Sequence, residues 1–212
     1  RKRSSAASDV YKRQVLARIL APEDFGLVAM VMSALSLADV FRDMGLSAAT
    51  IQRPSLTAQQ VSNVFWLNAG FGLTVALICI ACAPLIGSLY QDERTVPITL
   101  AMSAIFFLTG LSTQHSALLR RMLHFSDLAK AAILAALISA ALAIFLALNN
   151  AEYWALVIAS LSSSLIYSIL VWHYCRWRPD RPKFDQSTWE MLSFGGHMLV
   201  FGLMGFLGRN LH

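Results

Sequence analysis

Charged residues are spaced so unevenly along this chain that the gaps between them mark its elements. Between Arg53 and Asp92 there is no Asp, Glu, Lys or Arg, and the apolar stretch Phe65–Tyr90 fills most of that gap. An ionised side chain at mid-bilayer costs roughly 2.5 to 3.5 kcal/mol, and about 20 apolar residues cross a hydrocarbon core, so such a gap predicts a membrane helix. Further uncharged runs cover Thr95–Leu119, Ala131–Ala151, Tyr153–Cys175 and Met191–Gly208. A shorter, largely apolar span that carries Asp39 near its end fits Phe25–Phe41, and VLARIL (15–20) reads as the last turns of a helix whose beginning is missing. The pattern therefore predicts helices at about 15–20, 25–43, 64–89, 96–119, 127–148, 153–175 and 187–212. That is an all-α polytopic membrane helix bundle with a truncated first helix, five complete helices and the start of a seventh.

The connections agree. Pro22 with Glu23 and Asp24 suits a first helical turn, where a missing N–H is harmless and acids meet the positive helix end, so Leu20–Gly26 reads as a tight turn between spans. Asn149, Asn150 and Glu152, followed by Tyr153 and Trp154, form a short loop with interfacial aromatics, matched at the far end of that helix by Trp172, Tyr174 and Trp177. The longest connection, RWRPDRPKFDQSTWE, is proline-broken and too short to fold as a soluble domain.

Composition sharpens this picture. Of 212 residues, 57% are hydrophobic and 14% charged, and the mean hydropathy is +0.57, values of a membrane protein. The net charge of +5 does not point to nucleic acid: residues 1–14 hold five of the 17 basic and one of the 12 acidic residues, leaving 12 against 11. Cys79, Cys82 and Cys175 lie in or beside apolar runs and imply no disulfide framework. Loop charge orients the bundle. Placing Arg53 inside also places Arg120, Arg121, Lys130, Arg176, Arg178, Arg181 and Lys183 inside, while the opposite loops hold Arg94 and no lysine.

The runs LARILAPEDFGLVAMV, FRDMGLSAATIQRPSLTAQQVSNVFWLN, ALLRRMLHF and LSFGGHMLVFGLMGFLGRNL resemble the amino-terminal half of Wzx-like polysaccharide flippases, within the multidrug/oligosaccharidyl-lipid/polysaccharide exporter superfamily. The resemblance covers Val15 to Leu211. It departs at His212, where the family pattern has an aspartate after GRNL. The resemblance implies a two-lobed protein of twelve or more helices, of which residues 15–184 form the first lobe and 185–212 begin the second. It implies a bacterial cytoplasmic membrane protein that moves a polyprenyl-pyrophosphate-linked oligosaccharide to the outer leaflet by alternating access, for lipopolysaccharide or exopolysaccharide biosynthesis. Its partners would be that lipid-linked oligosaccharide, membrane lipids, and polysaccharide polymerase and export machinery, with no nucleic acid and no cofactor.

A sugar chain and a pyrophosphate crossing an apolar core need a polar, cationic cavity. Candidates for it are Arg18, Asp39, Arg42, His115, His197 and Arg209. Arg18 either faces the cavity or snorkels to the outer interface; Asp39 and Arg42 form either a structural i, i+3 pair or part of a gate. His197 is either a proton-coupling group or a packing residue. Arg120, Arg121 and Lys130 make an inner-mouth basic patch that either collects pyrophosphate or sets topology against anionic lipid. Glycines 195, 196, 202, 205 and 208 serve either close packing or a bend. Ser112, Thr113, Gln114, His115 and Ser116 on the fourth span, and Ser160, Ser162, Ser163 and Ser164 on the sixth, are either water-facing stripes or interhelical hydrogen-bonding groups.

Enzyme motifs fail. Cys79-Ile80-Ala81-Cys82 has C-x-x-C spacing but sits in an apolar run without a second ligand pair, and no metal site is expected. No P-loop, H-E-x-x-H or G-x-S-x-G is present. The alternatives are a drug/cation antiporter of the same superfamily, which needs buried acids, and a membrane-bound glycan polymerase or ligase, which needs a substantial outer loop. The basic start RKRSSAASDVYKRQ lacks the apolar region and cleavage site of a secretory signal. Ser4 to Gln14 resemble a translated sequencing adapter, so residues 1–14 are expected to be a non-native tail.

Overall fold

The computed structural model describes residues 20–39, 50–51 and 56–183, and within these the chain is helical, with no strand. In chain order the long helices are α1 (Pro22–Asp39), α2 (Ala58–Tyr90), α3 (Thr95–Arg121), α4 (Phe125–Leu148) and α5 (Trp154–Cys175). They correspond to the second to sixth expected spans. The expected first and seventh helices lie outside the described residues, as does the tail 1–14. Helices α2 to α5 run 22 to 33 residues and are long and apolar enough to cross a membrane. The protein is a polytopic helical membrane bundle.

Helix α2 starts at Ala58, ahead of the expected 64, because of a capping box. Thr57 Oγ1 accepts from the Gln60 amide at 3.2 Å, and Gln60 Oε1 accepts from the Thr57 amide at 3.1 Å. Two otherwise orphaned donors are thereby satisfied. With 33 residues, α2 is about 50 Å long against a hydrocarbon core of about 30 Å. Its polar first turns therefore extend beyond the apolar zone. At the other end Gln91 adopts a left-handed conformation (φ 54°) and its amide bonds to the Gly87 carbonyl.

Two clusters define the two ends. Leu20, Ala143, Ala147, Ala155 and Ala159 pack where α4 ends and α5 begins. Leu119, Ala131 and Val171 pack where α3 and α5 end and α4 begins. Between them lies the main core, from Val28 and Val31 of α1 through Val75 and Cys79 of α2 to Ile98, Met102 and Phe106 of α3 and Val157 of α5. The second cluster marks a basic end, with Arg120, Arg121, Lys130 and the segment 176–183. The opposite end holds Arg94, whose guanidinium grips Asp92 through Nε–Oδ1 (3.0 Å) and Nη2–Oδ2 (2.8 Å). That hydrogen-bonded contact holds the Asp92 carboxyl below the usual carboxylate range. The one arginine of the opposite loops is thus locally neutralised, which deepens the charge asymmetry read from sequence.

Packing depends on small residues, as it must where the surrounding lipid is as apolar as the side chains. Buried positions on α4 recur every fourth residue: Ala131, Ala135, Ser139, Ala143 and Ala147. Helices α2 and α3 approach still more closely. A Cβ added at Gly72 would lie 2.7 Å from the Phe106 carbonyl oxygen, and one at Gly110 would lie 2.6 Å from that of Asn68. Large apolar residues such as Leu77, Ile78, Leu137, Phe145 and Ile169 instead point outward, where lipid rather than water would meet them.

Valine at Gly72 or Gly110 must push two backbones apart, and overpacking of this kind costs about 1–3 kcal/mol. Gly72→Val and Gly110→Val are expected to lower the thermal midpoint of the detergent-solubilised full-length protein. Gly70→Ala, whose Cβ would meet nothing within 4 Å, is expected to leave it unchanged.

Candidate functional site

The polar groups of the bundle fall into two sets. The first lines a cavity of about 530 Å³ between α1, α3, α4 and α5. Thr109, Ser160, Ser163, Ser164 and Tyr167 give it one hydroxyl-bearing wall. Met32, Leu35, Met102, Ile105 and Phe106 supply apolar lining beside these groups. Some hydroxyls are occupied locally: Ser160 Oγ donates to the Leu156 carbonyl at 2.9 Å, and the Tyr167 hydroxyl pairs with Ser116 Oγ at 3.2 Å. No charged residue lines this cavity among the described residues. The expected cationic lining is therefore not found in this part of the bundle, and the wall offers neutral hydrogen-bonding groups beside apolar surface.

The second set sits at the basic end. His115 of α3 is fully buried and stacks on Trp172 of α5, with centroids 4.2 Å apart and planes at 21°. Edges of Trp177 and Phe65 close the box at 5.2 and 5.7 Å. Trp172 is itself fixed by donating from Nε1 to the Leu111 carbonyl at 2.9 Å. Among the described residues neither ring nitrogen of His115 nor Gln114 Nε2 makes a well-formed hydrogen bond, and the backbones of Trp177 and Leu111 are the polar groups nearest the imidazole. Gln114 Oε1 accepts from Thr50 Oγ1 at 3.3 Å. Of the two readings for the polar stretch Ser112–Ser116, burial favours bonding within the bundle: Thr113 bonds to the Thr109 carbonyl and Ser116 to Tyr167.

The inner-mouth patch divides on inspection. Arg120 is exposed. Arg121 Nη1 donates to the Thr50 carbonyl at 2.8 Å, tying α3 to the segment before α2. Lys130 pairs with Asp127 of its own helix at 3.0 Å, and His124 Nδ1 lies 3.6 Å from the same carboxylate. Asp39 is the last residue of α1, and its side chain lies outside the described residues. Arg18, Arg42, His197 and Arg209 are likewise outside them. Among the described residues no group of His, Cys, Asp and Glu could hold a metal ion.

Three participants were missed in sequence: Asn63, Trp66 and the backbone of segment 176–183. Asn63 Nδ2 donates to the Lys183 carbonyl at 2.6 Å, and Trp66 Nε1 to that of Asp180 at 2.8 Å. The available signal was the spacing of Gln59, Ser62, Asn63 and Trp66, which puts all four on one helical face.

A model of the family described as polysaccharide biosynthesis protein matches residues 15–212. The chain belongs to that family. The match starts where the resemblance in the sequence starts, and residues 1–14 lie outside it. The chain is 26% identical over 204 residues to the lipopolysaccharide biosynthesis protein WzxC of Escherichia coli, covering 93% of this chain and 40% of that protein. It is 30% identical over 179 residues to the teichuronic acid biosynthesis protein TuaB of Bacillus subtilis, covering 82% and 36%. It is 28% identical over 192 residues to the succinoglycan biosynthesis transport protein ExoT of Rhizobium meliloti, covering 90% and 38%. The chain thus spans about two fifths of the length of these curated relatives. No solved structure matches it. Family and helices together make this a multi-pass inner-membrane protein of a polysaccharide biosynthesis family.

To the stability of the bundle, the buried imidazole of His115 contributes ring packing. His115→Phe keeps an aromatic ring on Trp172 and removes the unpaired nitrogens, and is expected to leave the thermal midpoint unchanged or raised. Trp172→Ala removes the stacked ring and the bond to Leu111, and is expected to destabilise by about 3–5 kcal/mol in equilibrium unfolding.

Proposed function

We propose that the full-length protein containing this chain flips a polyprenyl-pyrophosphate-linked oligosaccharide from the cytoplasmic to the outer leaflet. The observation that carries this is a hydroxyl-lined, uncharged cavity inside a membrane bundle of a polysaccharide biosynthesis family. Sugars present hydroxyls on their edges and C–H groups on their faces. A lining that joins Ser160, Ser163, Ser164 and Tyr167 with Met102 and Phe106 supports contact with both. By the positive-inside rule the basic end is cytoplasmic, and the exposed Arg120 there is the member of the patch available to a pyrophosphate. These helices form the first lobe, which rocks against a second to alternate access. No bond is broken in that process, so the protein is a carrier and its reaction class is transport. The relative named as a succinoglycan transport protein supports this reading. A cation antiporter would call for a carboxylate on the cavity wall, and the described lining holds none.

The test is flipping of a lipid-linked oligosaccharide by the purified full-length protein in vesicles. Elongation of glycan chains by that protein alone would overturn the reading in favour of a polymerase. Replacing Ser163 and Ser164 together by valine removes two hydroxyls without adding charge. Hydrogen bonds contribute about 0.5–1.5 kcal/mol each, so the double variant is expected to flip about tenfold more slowly. Ile138→Leu, on an exposed face of α4, should flip at the wild-type rate.

A further inference from the structure

The segment after α5 does not leave the bundle. Arg176 turns the chain in a left-handed conformation (φ 52°), and Arg178 then folds back, donating from Nη1 to the Trp172 carbonyl at 3.0 Å. Its guanidinium lies 5.5 Å from the Trp172 ring centroid. Beyond it the chain lies along the first turns of α2. The Asp180 amide donates to Ser62 Oγ at 3.1 Å, and Gln59 Nε2 donates to the Arg181 carbonyl at 3.0 Å. Asn63 holds Lys183 from both sides, accepting from its amide at 3.0 Å and donating to its carbonyl at 2.6 Å.

With Trp66 these bonds all run from α2 side chains to the segment's backbone. The side chains of Asp180, Arg181 and Lys183 stay exposed. Such a contact depends on the path of the segment and not on its charges. Each bond contributes only about 0.5–1.5 kcal/mol where water competes, so a row of them can be released together.

What the segment covers gives the contact meaning. Its Trp177 packs against Phe65 at 6.1 Å and forms one wall of the box around His115. Inside is His115, whose ring nitrogens make no well-formed hydrogen bond among the described residues and each carry a desolvation cost of about 1–3 kcal/mol. Buried donors and acceptors left unpaired in one arrangement are accounted for if a second arrangement pairs them.

We infer that residues 176–183 are a strap that closes the basic end of the bundle over His115, and that lifting it presents His115 to the hydroxyls of an uncharged sugar unit. The sugar assignment rests on the proposed flippase function; the strap does not. A neutral imidazole offers one donor and one acceptor, a pair that matches a sugar hydroxyl. The strap also places any hinge to the following residues after Lys183 and not at the end of α5.

The strap is tested without transport. In full-length protein with Cys79, Cys82 and Cys175 replaced by alanine, His115→Cys should react slowly with a water-soluble maleimide. Adding Gln59→Ala and Asn63→Ala should speed labelling about tenfold while the thermal midpoint shows the bundle still folded. Equal rates in the folded variants overturn the strap; should the double variant unfold, Trp66→Phe, which removes one bond and keeps the ring, is read in its place. The ligand is tested by flipping of a lipid-linked oligosaccharide. His115→Phe should fold as wild type yet flip at least tenfold more slowly, and a wild-type rate removes His115 from the sugar's path. If no variant and no wild type flips while labelling still responds to Asn63→Ala, the flippase reading fails and the strap stands.

Discussion

Contact between the backbones of α2 and α3, at Gly72 against Phe106 and Gly110 against Asn68, is the constraint on which the rest of this bundle depends. In a bilayer no hydrophobic force draws one apolar helix to another, so association rests on close packing and on hydrogen bonds between helices. Removing side chains where two helices cross lets carbonyls and Cα atoms meet directly. Everything toward the basic end is then registered from that crossing. One turn beyond Gly110, His115 is carried into the space between Phe65 and Trp172, and Gln114 is carried to Thr50. Toward the other end the same crossing aligns Val75 and Cys79 with Ile98 and Met102 in the main core.

The helices solve the problem of polar groups in an apolar medium in three ways. Hydroxyls on α3 bond back along their own helix, as Thr99 does to Thr95 and Ser103 to Thr99. Others bridge helices: Ser168 Oγ reaches the Leu108 carbonyl, and Trp172 reaches that of Leu111. A third group lines a cavity, where Ser163 and Ser164 join Phe106 and Met102. The first two kinds hold the helices together; the third lies apart from the bonds that keep the helices in place.

Charge follows a different rule. Strongly hydrated groups remain at the two ends, where Lys130 meets Asp127 and Arg94 meets Asp92. Such exposed pairs add little to stability. Their consequence is orientation: one end keeps an arginine-rich face, while the other neutralises its arginine in place. The length of α2 connects these two domains of behaviour, since its polar first turns reach past the apolar zone to hold the segment 176–183.

The one-dimensional arrangement of charges determined the membrane class, the number of the described helices and the charge difference between the ends, and the runs quoted from the sequence carried the family. These follow from sequence because the cost of placing a charge or an unpaired peptide group in hydrocarbon is local and applies residue by residue. Helix starts were less legible: the capping box at Thr57 moved the beginning of α2 outward, since a polar first turn carries no apolar signal. The partners of His115, Asn63 and Trp66 were not legible at all. Gln59, Ser62, Asn63 and Trp66 recur at helical spacing, yet that spacing cannot say whether the stripe meets water, a ligand or another part of the chain. Their partners lie more than a hundred positions away, and the pairing depends on how α2, α3 and α5 cross. Only the tertiary structure decides this, because two glycine contacts set the crossing and the crossing chooses which distant groups come within reach.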